Sequence, residues 1–232
     1  TIDLNYQSIL QEELKKRKKE TNSLSAMGVI MNPQTGAILA MASVPDFDNN
    51  YFSKYRINNH HCRAITDQFE PGSTFKIVAA VAALSEDKIS LSEEFNCENG
   101  EFQYYTIPIR DHEKHAMLST SQIIQHSSNI GIIKIIEKVG PKILYNTSRD
   151  FGFGSKTGIK LDGEAKGTLN PFLNWSAVSL GQIAMGHEVG VTAIQLAMAY
   201  CAIANEGFLL QPKLIRQVIN SENLPVHVEK PS

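Results

Sequence analysis

The sequence lacks the features that mark membrane-spanning, disulfide-framed and nucleic-acid-binding proteins. Its longest apolar run, residues 77–84, is far shorter than the ~20 residues that a membrane helix needs, and no signal peptide opens it. The three cysteines lie far apart without a C-x-x-C pair, which gives no sign of a disulfide framework or a cysteine zinc site. With 22 basic and 24 acidic residues, the net charge of -2 provides no field that would attract nucleic acid.

Motifs of several hydrolase and nucleotide-binding classes are missing too. There is no G-x-S-x-G nucleophile turn and no phosphate-binding glycine loop. His112 and His115 lack the i, i+4 spacing of H-E-x-x-H, and His187 has no second histidine near it. The pair His60-His61 is typical of a solvated loop. The sequence therefore does not indicate a metal hydrolase.

Apolar periodicity predicts a mainly helical chain with one β-hairpin. An amphipathic helix is predicted over residues 3–19 with Asp3 as its cap, and two apolar strands, 27–31 and 37–42, form the hairpin. Further helices are predicted at residues 73–84, 119–126, 130–139 and 192–205. The last of them is predicted to face the core with Ile194, Leu196, Ala197, Tyr200 and Cys201.

The predicted inventory of elements is unbalanced. Residues 85–117 resist assignment, and the glycine-rich stretch 151–170 is predicted to be loop. Two strands alone rarely form a stable sheet. We therefore predict an α/β fold of the α+β type, whose antiparallel sheet is incomplete.

Ser73 and Lys76 form the first chemical signature. They stand three residues apart at the entrance of the apolar helix, so both side chains lie on one face. A serine hydroxyl becomes a good nucleophile when a neighbouring base takes its proton, and a neutral lysine amine is such a base. Burial and the positive helix end both disfavour the ammonium form of Lys76. Ser85 and Lys88 repeat the spacing, but among charged neighbours that favour a solvated lysine.

Ser127-Ser128-Asn129 forms the second signature, between two predicted helices. Such a polar turn can project Ser127 and Asn129 into a cleft, although serine and asparagine are also favoured helix caps. Ser221-Glu222-Asn223 repeats the spacing as a decoy. Taken with Ser73 and Lys76, however, S-x-x-K followed by S-x-N resembles the penicillin-interacting serine enzymes.

The resemblance extends to about Leu214. In the same order along the chain, several segments resemble the transpeptidase domain of class B penicillin-binding proteins: "GVIMNPQTGAILAMASVPDFD", "RAITDQFEPGSTFK", "SSNIGIIKI" and "SLGQIAMGHEVGVTAIQLAMAYCAIANEG". Residues 151–190 resemble the septal, cell-division subgroup and its sporulation relatives more than the elongation subgroup.

This resemblance implies a role for each site residue. Ser73 is expected to be the acylated nucleophile, Lys76 its base, Ser127 a proton shuttle to the leaving amine, and Asn129 a hydrogen-bond donor to the substrate peptide. The implied reaction is D,D-transpeptidation, which cross-links peptidoglycan stem peptides and which β-lactam antibiotics stall as acyl-enzymes. The resemblance implies no metal, no organic cofactor and no nucleic-acid partner.

The resemblance also implies a fold and a location. The fold expected is that of serine β-lactamases and penicillin-binding-protein transpeptidases, as one C-terminally incomplete domain over residues 1–232. Within it, residues 1–45 are expected to begin the sheet lobe, 46–210 to form a mainly helical lobe, and 211–232 to return to the sheet. Full-length members are expected at the extracytoplasmic face of the cytoplasmic membrane, anchored by an N-terminal helix, with a membrane glycosyltransferase and divisome proteins as partners.

Lys156-Thr157-Gly158 imitates the third signature of these enzymes. A working triplet lies on a strand beside the nucleophile, where its backbone pairs with the substrate. Here the triplet stands among Gly152, Gly154 and Gly163 without a strand-forming run before it, and no K-[ST]-G follows Gly207. We therefore predict that this triplet lies in a structural loop and that the chain stops before the catalytic one.

Two other classes stay open at this point. The missing third signature favours a penicillin sensor or a non-catalytic penicillin-binding scaffold, in which Ser73 is acylated once or not at all. Another enzyme of the superfamily is the second alternative, either a class A bifunctional synthase or a serine β-lactamase. The β-lactamase is disfavoured, since no residue is identifiable as its deacylating base and the segment "RAITDQFEPGST" resembles a transpeptidase.

Overall fold

A computed structural model describes residues 2–228 of the chain. The α-helices are α1 (Leu4–Thr21), α2 (Arg63–Thr66), α3 (Lys76–Ser85), α4 (Thr120–Gln125), α5 (Asn129–Glu137), α6 (Pro141–Asp150), α7 (Ser179–Ala184) and α8 (Ala193–Ala204). The strands are β1 (Ala26–Met31), β2 (Ile38–Val44), β3 (Glu94–Asn96), β4 (Glu101–Tyr104), β5 (Ile107–Arg110), β6 (Met117–Ser119), β7 (Gln217–Ile219) and β8 (Pro225–Val228). This mixture of helix and strand agrees with the predicted α+β class. Within residues 2–228, no helix is both long enough and apolar enough to cross a membrane.

Two compact units divide the described residues. The first holds residues 2–68, 155–166 and 192–228, and the second holds 69–154 and 167–191. The first unit thus includes segments on both sides of the lobe boundaries predicted at 45/46 and 210/211, and those boundaries stay a prediction.

In the first unit, helix α1 packs against the antiparallel hairpin of β1 and β2. As predicted, Asp3 caps α1, and its side chain accepts hydrogen bonds from the backbone N–H groups of Asn5 (2.9 Å) and Tyr6 (3.2 Å). The Gln7 amide then bonds both backbone groups of Met41 on β2, each at 3.0 Å. These bonds fix the helix to the hairpin.

The core of the first unit brings together residues from distant parts of the sequence. Its completely or almost completely buried members are Ile38, Ile65, Ile159, Ile194 and Met198. Helix α8 supplies the last two, and it begins with a reciprocal capping box between Thr192 and Gln195.

The face that α8 buries differs from the predicted one. Ile194, Met198 and Ala202 are buried at a spacing of four residues, which is the spacing of one helix face. Of the five residues predicted to face the core, only Ile194 is buried, and Tyr200 is 45% exposed. The prediction was wrong because this helix is apolar on nearly all sides, so composition alone does not select a face.

In the second unit, the apolar helices α3 and α5 pack against each other. All five isoleucines of α5 are completely buried, and α3 also contacts α6 while α5 contacts α7. Phe75 and Phe153 add a ring contact with centroids 5.0 Å apart. The predicted helix over residues 73–84 is thus confirmed, except that its first turn, Gly72–Phe75, is a 3₁₀ helix.

Short strand pairs account for much of the region that the sequence left unassigned. Strand β3 pairs with β6 and β4 pairs with β5, both antiparallel. The described residues 2–228 contain four separate two-stranded sheets and no larger one. Strands of three or four residues are too short to show a period-2 pattern, which explains why the sequence did not reveal them.

Candidate active site

Ser73 lies in the 3₁₀ turn Gly72–Phe75 that leads into α3. The residue is exposed, and its hydroxyl forms no hydrogen bond with any residue between 2 and 228. Lys76 begins α3, and its backbone N–H donates to the Ser73 carbonyl. Lys76 follows Ser73 by three residues across the start of the helix, but its amine bonds a different set of partners, Ser127 and Asn129.

The segment before Ser73 is held by residues 187–191. The backbones of Phe69 and Val191 exchange two hydrogen bonds, of 3.0 and 2.9 Å. The Glu70 carboxylate accepts the backbone N–H of Glu188 at 3.0 Å and lies 3.1 Å from Nδ1 of His187. The hydrogen bond with His187 is the main cause that lowers the pKa of Glu70. The position of the serine turn therefore depends on a segment more than a hundred residues away in sequence.

Gly72 and Gly186 meet directly through their backbones, and the Gly72 N–H donates to the Gly186 carbonyl at 3.1 Å. A Cβ atom on Gly186 would lie 2.1 Å from the Gly72 carbonyl oxygen, and Gly186 has a φ of +86°. We expect Gly186→Ala to lower the free energy of unfolding by about 2–5 kcal/mol, as the sum of left-handed strain and overpacking. Denaturant unfolding measures this loss.

Gly207→Ala is the matched control for that substitution. Gly207 has a φ of +92°, but a Cβ atom there would meet nothing within 4 Å. Only the left-handed strain applies, so a loss of about 1–2 kcal/mol is expected. Equal losses in the two variants would contradict the importance of the Gly72–Gly186 contact.

The Lys76 amine is buried among three acceptors. The residue is 3% exposed, and Nζ donates to the Ser127 carbonyl oxygen (2.5 Å), the Ser127 Oγ (3.0 Å) and the Asn129 Oδ1 (2.7 Å). Burial lowers the pKa of Lys76 to about 8, against the opposing effect of the Asp111 charge. About a tenth of the amine is then neutral at pH 7, which suits a general base.

Asp111 is a residue of this site that the sequence analysis missed. Its Oδ1 accepts the backbone N–H groups of Asn129 (2.6 Å) and Ile130 (3.1 Å), and its Oδ2 accepts the Ser128 hydroxyl (2.5 Å). One carboxylate therefore fixes three consecutive residues at the start of α5. Nothing local in the sequence signals this role, because Asp111 follows strand β5 and is 17 or more residues away from its partners.

The capping role considered for Ser127-Ser128-Asn129 belongs to the middle residue. Ser128 is the N-cap of α5, and its Oγ accepts the backbone N–H of Gly131 at 2.9 Å. The side chains of Ser127 and Asn129 are thereby left to Lys76. The triplet is both a helix cap and part of the site, so the two interpretations of its sequence were compatible.

Ser127 and Asn129 are held in defined conformations. Ser127 has a φ of +54°, a left-handed conformation that non-glycine residues keep only when their surroundings impose it. The Asn129 Nδ2 donates to the Arg110 carbonyl at 2.8 Å, while its Oδ1 accepts from Lys76. A bond from Asn129 to a substrate peptide stays a prediction, for which the second N–H of its amide offers a donor.

Lys156-Thr157-Gly158 lies in a loop, as predicted. Glu164, which is 8% exposed, accepts hydrogen bonds from the Thr157 backbone N–H (2.6 Å) and hydroxyl (2.5 Å) and from the Gly158 N–H (3.3 Å). The Gly158 carbonyl accepts the Gln211 amide at 2.6 Å. The backbone N–H groups of Thr157 and Gly158 and the Gly158 carbonyl thus form bonds within the protein, and Lys156 is exposed.

The decoy pairs are unlike the site. Ser85 and Lys88 are both exposed at the end of α3. Ser221 and Asn223 are exposed in the turn between β7 and β8. Neither pair includes a buried amine like that of Lys76.

Comparison with known proteins gives a consistent result. The sequence model of the penicillin binding protein transpeptidase domain matches residues 26–232. The chain is similar to stage V sporulation protein D of Bacillus subtilis (strain 168), with 34% identity over 223 residues that cover 95% of this chain and 34% of that protein. It is also similar to penicillin-binding protein PbpB of Mycolicibacterium smegmatis, with 29% identity over 238 residues that cover 100% of this chain and 36% of that protein. The chain thus spans about a third of the length of these relatives.

A solved structure supports the same relationship. The chain is similar to penicillin binding protein 3 of Mycobacterium tuberculosis in complex with aztreonam, with a TM-score of 0.87 and 28% identity. The similarity covers 100% of this chain and 52% of that one. The fold and the sequence therefore indicate the same family.

Proposed function

Because this chain belongs to the penicillin-binding-protein transpeptidase family, we propose that it provides the serine, lysine and S-x-N groups of a peptidoglycan D,D-transpeptidase. The observation that carries this proposal is the buried Lys76 amine. It stands one helical turn after an exposed serine, it contacts Ser127 and Asn129, and its pKa is lowered to about 8. A buried amine with this pKa is the form of lysine that serves as a general base.

In the proposed reaction, Ser73 Oγ attacks the penultimate D-Ala carbonyl of a stem peptide while its proton passes to the Lys76 amine. The tetrahedral oxyanion accepts a hydrogen bond from the Ser73 backbone N–H. One such donor stabilises the transition state by on the order of 3 kcal/mol. Ser127 then passes a proton to the leaving D-Ala nitrogen and takes the proton held by Lys76 in exchange, and the C–N bond breaks. An amine of a neighbouring strand attacks the acyl-serine ester, loses its proton through the now neutral Lys76 to Ser73 Oγ, forms the cross-link and releases Ser73.

The missing hydrogen bond between Ser73 and Lys76 is compatible with this reaction. Catalytic hydrogen bonds are often long in enzymes without substrate and tighten in the complex. A neutral amine has two protons and one lone pair, whereas Lys76 now has three acceptors within reach. Loss of one proton would therefore release one of these contacts and make a lone pair available for the Ser73 proton.

We also propose a setting for the reaction in the cell. Similarity to a stage V sporulation protein and to PbpB supports septal or sporulation wall synthesis. Peptidoglycan lies outside the cytoplasmic membrane, so we place the protein at the extracytoplasmic face, with an anchor in the full-length protein. A membrane glycosyltransferase and divisome proteins are its proposed partners, and β-lactams, as bound by the M. tuberculosis relative, its proposed inhibitors.

Labelling with a fluorescent penicillin tests the proposal on the complete gene product. A stable adduct is expected on Ser73, identified by peptide mass spectrometry, and Ser73→Ala should abolish it. Ser85→Ala, at the exposed decoy serine, should label like the unmodified protein. A stem-peptide assay then detects D-Ala release and cross-linking.

The outcomes separate the alternatives. A stable adduct without cross-linking would favour a penicillin sensor or scaffold over the proposed enzyme. Rapid release of hydrolysed penicillin would indicate a β-lactamase. Absence of any adduct in the complete gene product would exclude acyl-serine chemistry at this site.

A further inference from the structure

Three side chains with metal-ligating atoms converge beside the S-x-N segment, in the second unit. Glu113 and His115 lie in the loop between β5 and β6, and His126 is the residue that follows α4. The Glu113 Oε2 lies 3.1 Å from Nε2 of His115 and 3.2 Å from Nδ1 of His126. The three potential ligand atoms all lie within 4.8 Å of one another. Among residues 2–228 this is the one group of its kind.

The distances fit a tetrahedral metal ion. Bonds of about 2.0–2.2 Å to nitrogen and carboxylate oxygen place neighbouring ligands of a tetrahedral ion about 3.3 Å apart. Two of the three separations are already close to this value. The third, between the imidazole nitrogens, is at most 4.8 Å, so the two rings would have to approach by at most about 1.5 Å to ligate one ion.

The chemistry of the group agrees with its geometry. Two imidazoles and one carboxylate form the ligand set of several zinc sites that keep an open fourth position. The side chain of Glu113 is 65% exposed and those of His115 and His126 are 26% and 33% exposed, which gives an ion access and leaves room for water.

We propose that Glu113, His115 and His126 bind one Zn²⁺ ion, with water as the fourth ligand. The ion would join the β5–β6 loop to the end of α4. His126 directly precedes Ser127, whose carbonyl and hydroxyl contact Lys76. Zinc would therefore restrain one side of the S-x-N segment, while Asp111 restrains the other. The sequence could not reveal this site, because His126 is 11 residues beyond His115 and no local motif joins them.

Metal binding to the complete chain, after removal of bound metal with a chelator, tests the site directly. We expect one Zn²⁺ per chain by competition with a chromophoric chelator, and a visible spectrum typical of tetrahedral nitrogen and oxygen ligation with Co²⁺. The double variant His115→Ala/His126→Ala should weaken Zn²⁺ binding by more than about 100-fold, since changes outside the ligand set alone cost 10- to 100-fold. Zinc should raise the unfolding temperature of the unmodified chain but not of this variant.

His112→Ala is the matched control, since His112 is an exposed histidine of the same loop outside the group. It should bind Zn²⁺ like the unmodified chain. The proposal is overturned if the unmodified chain binds no zinc, if the double variant binds it within about threefold of the unmodified chain, or if binding is lost on Cys→Ser substitution instead. Because the measurement is metal binding, its result does not depend on whether Ser73 is acylated.

Discussion

Replacing Lys76 by methionine is expected to slow the acylation of Ser73 by penicillin by about 10²–10⁴-fold, the usual contribution of a positioned general base. Methionine keeps an unbranched side chain in the buried position but has no amine to take the serine proton. It also removes the three hydrogen bonds that Lys76 donates to Ser127 and Asn129. The variant therefore lacks both the base and the bonds that hold these two side chains in position. The second-order rate constant of labelling measures the effect, and circular dichroism checks that the chain is folded.

The acylation rate of the unmodified protein should depend on pH with a defined sign. Burial lowers the pKa of Lys76 to about 8, so the neutral amine is the minor form below pH 8 and the major form above it. The rate constant is expected to rise by about 50-fold from pH 6 to pH 8 and by about 100-fold from pH 6 to a plateau above pH 9, in proportion to the neutral fraction. A flat profile between pH 6 and 9 would exclude Lys76 as the base.

Lys88→Met is the control for this prediction. Lys88 follows Ser85 at the same spacing as Lys76 follows Ser73, but it is exposed after the end of α3. Its substitution should leave the rate constant within about twofold, because exposed positions away from a site rarely matter. A comparable loss of rate in both variants would mean that Lys76→Met does not act by removing the general base.

Asp111→Ala is expected to reduce both stability and acylation. The substitution leaves two backbone N–H groups of α5 and the Ser128 hydroxyl without their acceptor. Since bonds to a charged group contribute about 1.5–3 kcal/mol and unsatisfied groups add a penalty, a loss of about 3 kcal/mol in the free energy of unfolding is expected. Acylation should fall about tenfold or more, because the start of α5 positions Asn129 against Lys76.

Asp111→Asn separates the positioning role of Asp111 from its charge. Asparagine keeps one acceptor oxygen and most of the shape, so the loss of stability should be smaller. The negative charge of Asp111 raises the pKa of Lys76, so its removal should move the midpoint of the acylation pH profile below 8. Asp150→Asn, at the exposed end of α6, is the control. It should leave the midpoint of the pH profile unchanged and change the free energy of unfolding by less than about 0.5 kcal/mol. An unmoved midpoint in Asp111→Asn would show that Asp111 acts on structure alone.

The groups that the sequence predicted correctly are those with strong local signals. Ser73 and Lys76 are one helical turn apart at the start of a long apolar run, and Ser127-Ser128-Asn129 interrupts two apolar helices. The cap at Asp3 and the β1–β2 hairpin follow from the same kind of local pattern. The structure confirms the placement of these residues on their elements, and their catalytic roles stay proposals.

The groups that the sequence did not predict depend on contacts between distant segments. Asp111 and His126 have partners 11 or more residues away, and a carboxylate or imidazole in a polar stretch has no periodicity that marks it. Strands β3 to β6 are three or four residues long, which hides their alternation. The wrong face of α8 has the opposite cause, since nearly every position of that helix is apolar and several faces satisfy the pattern equally.

The loop around Glu164 shows how little information a three-letter signature holds by itself. Lysine, threonine and glycine occur together here, but the Glu164 carboxylate accepts hydrogen bonds from the threonine and the glycine. The same three residues therefore stabilise a loop. A motif search that only counts signatures would score this chain as having all three. In this chain the deciding residue is Glu164, whose carboxylate takes up the N–H groups of the triplet, so the function of the three letters depends on a residue outside them.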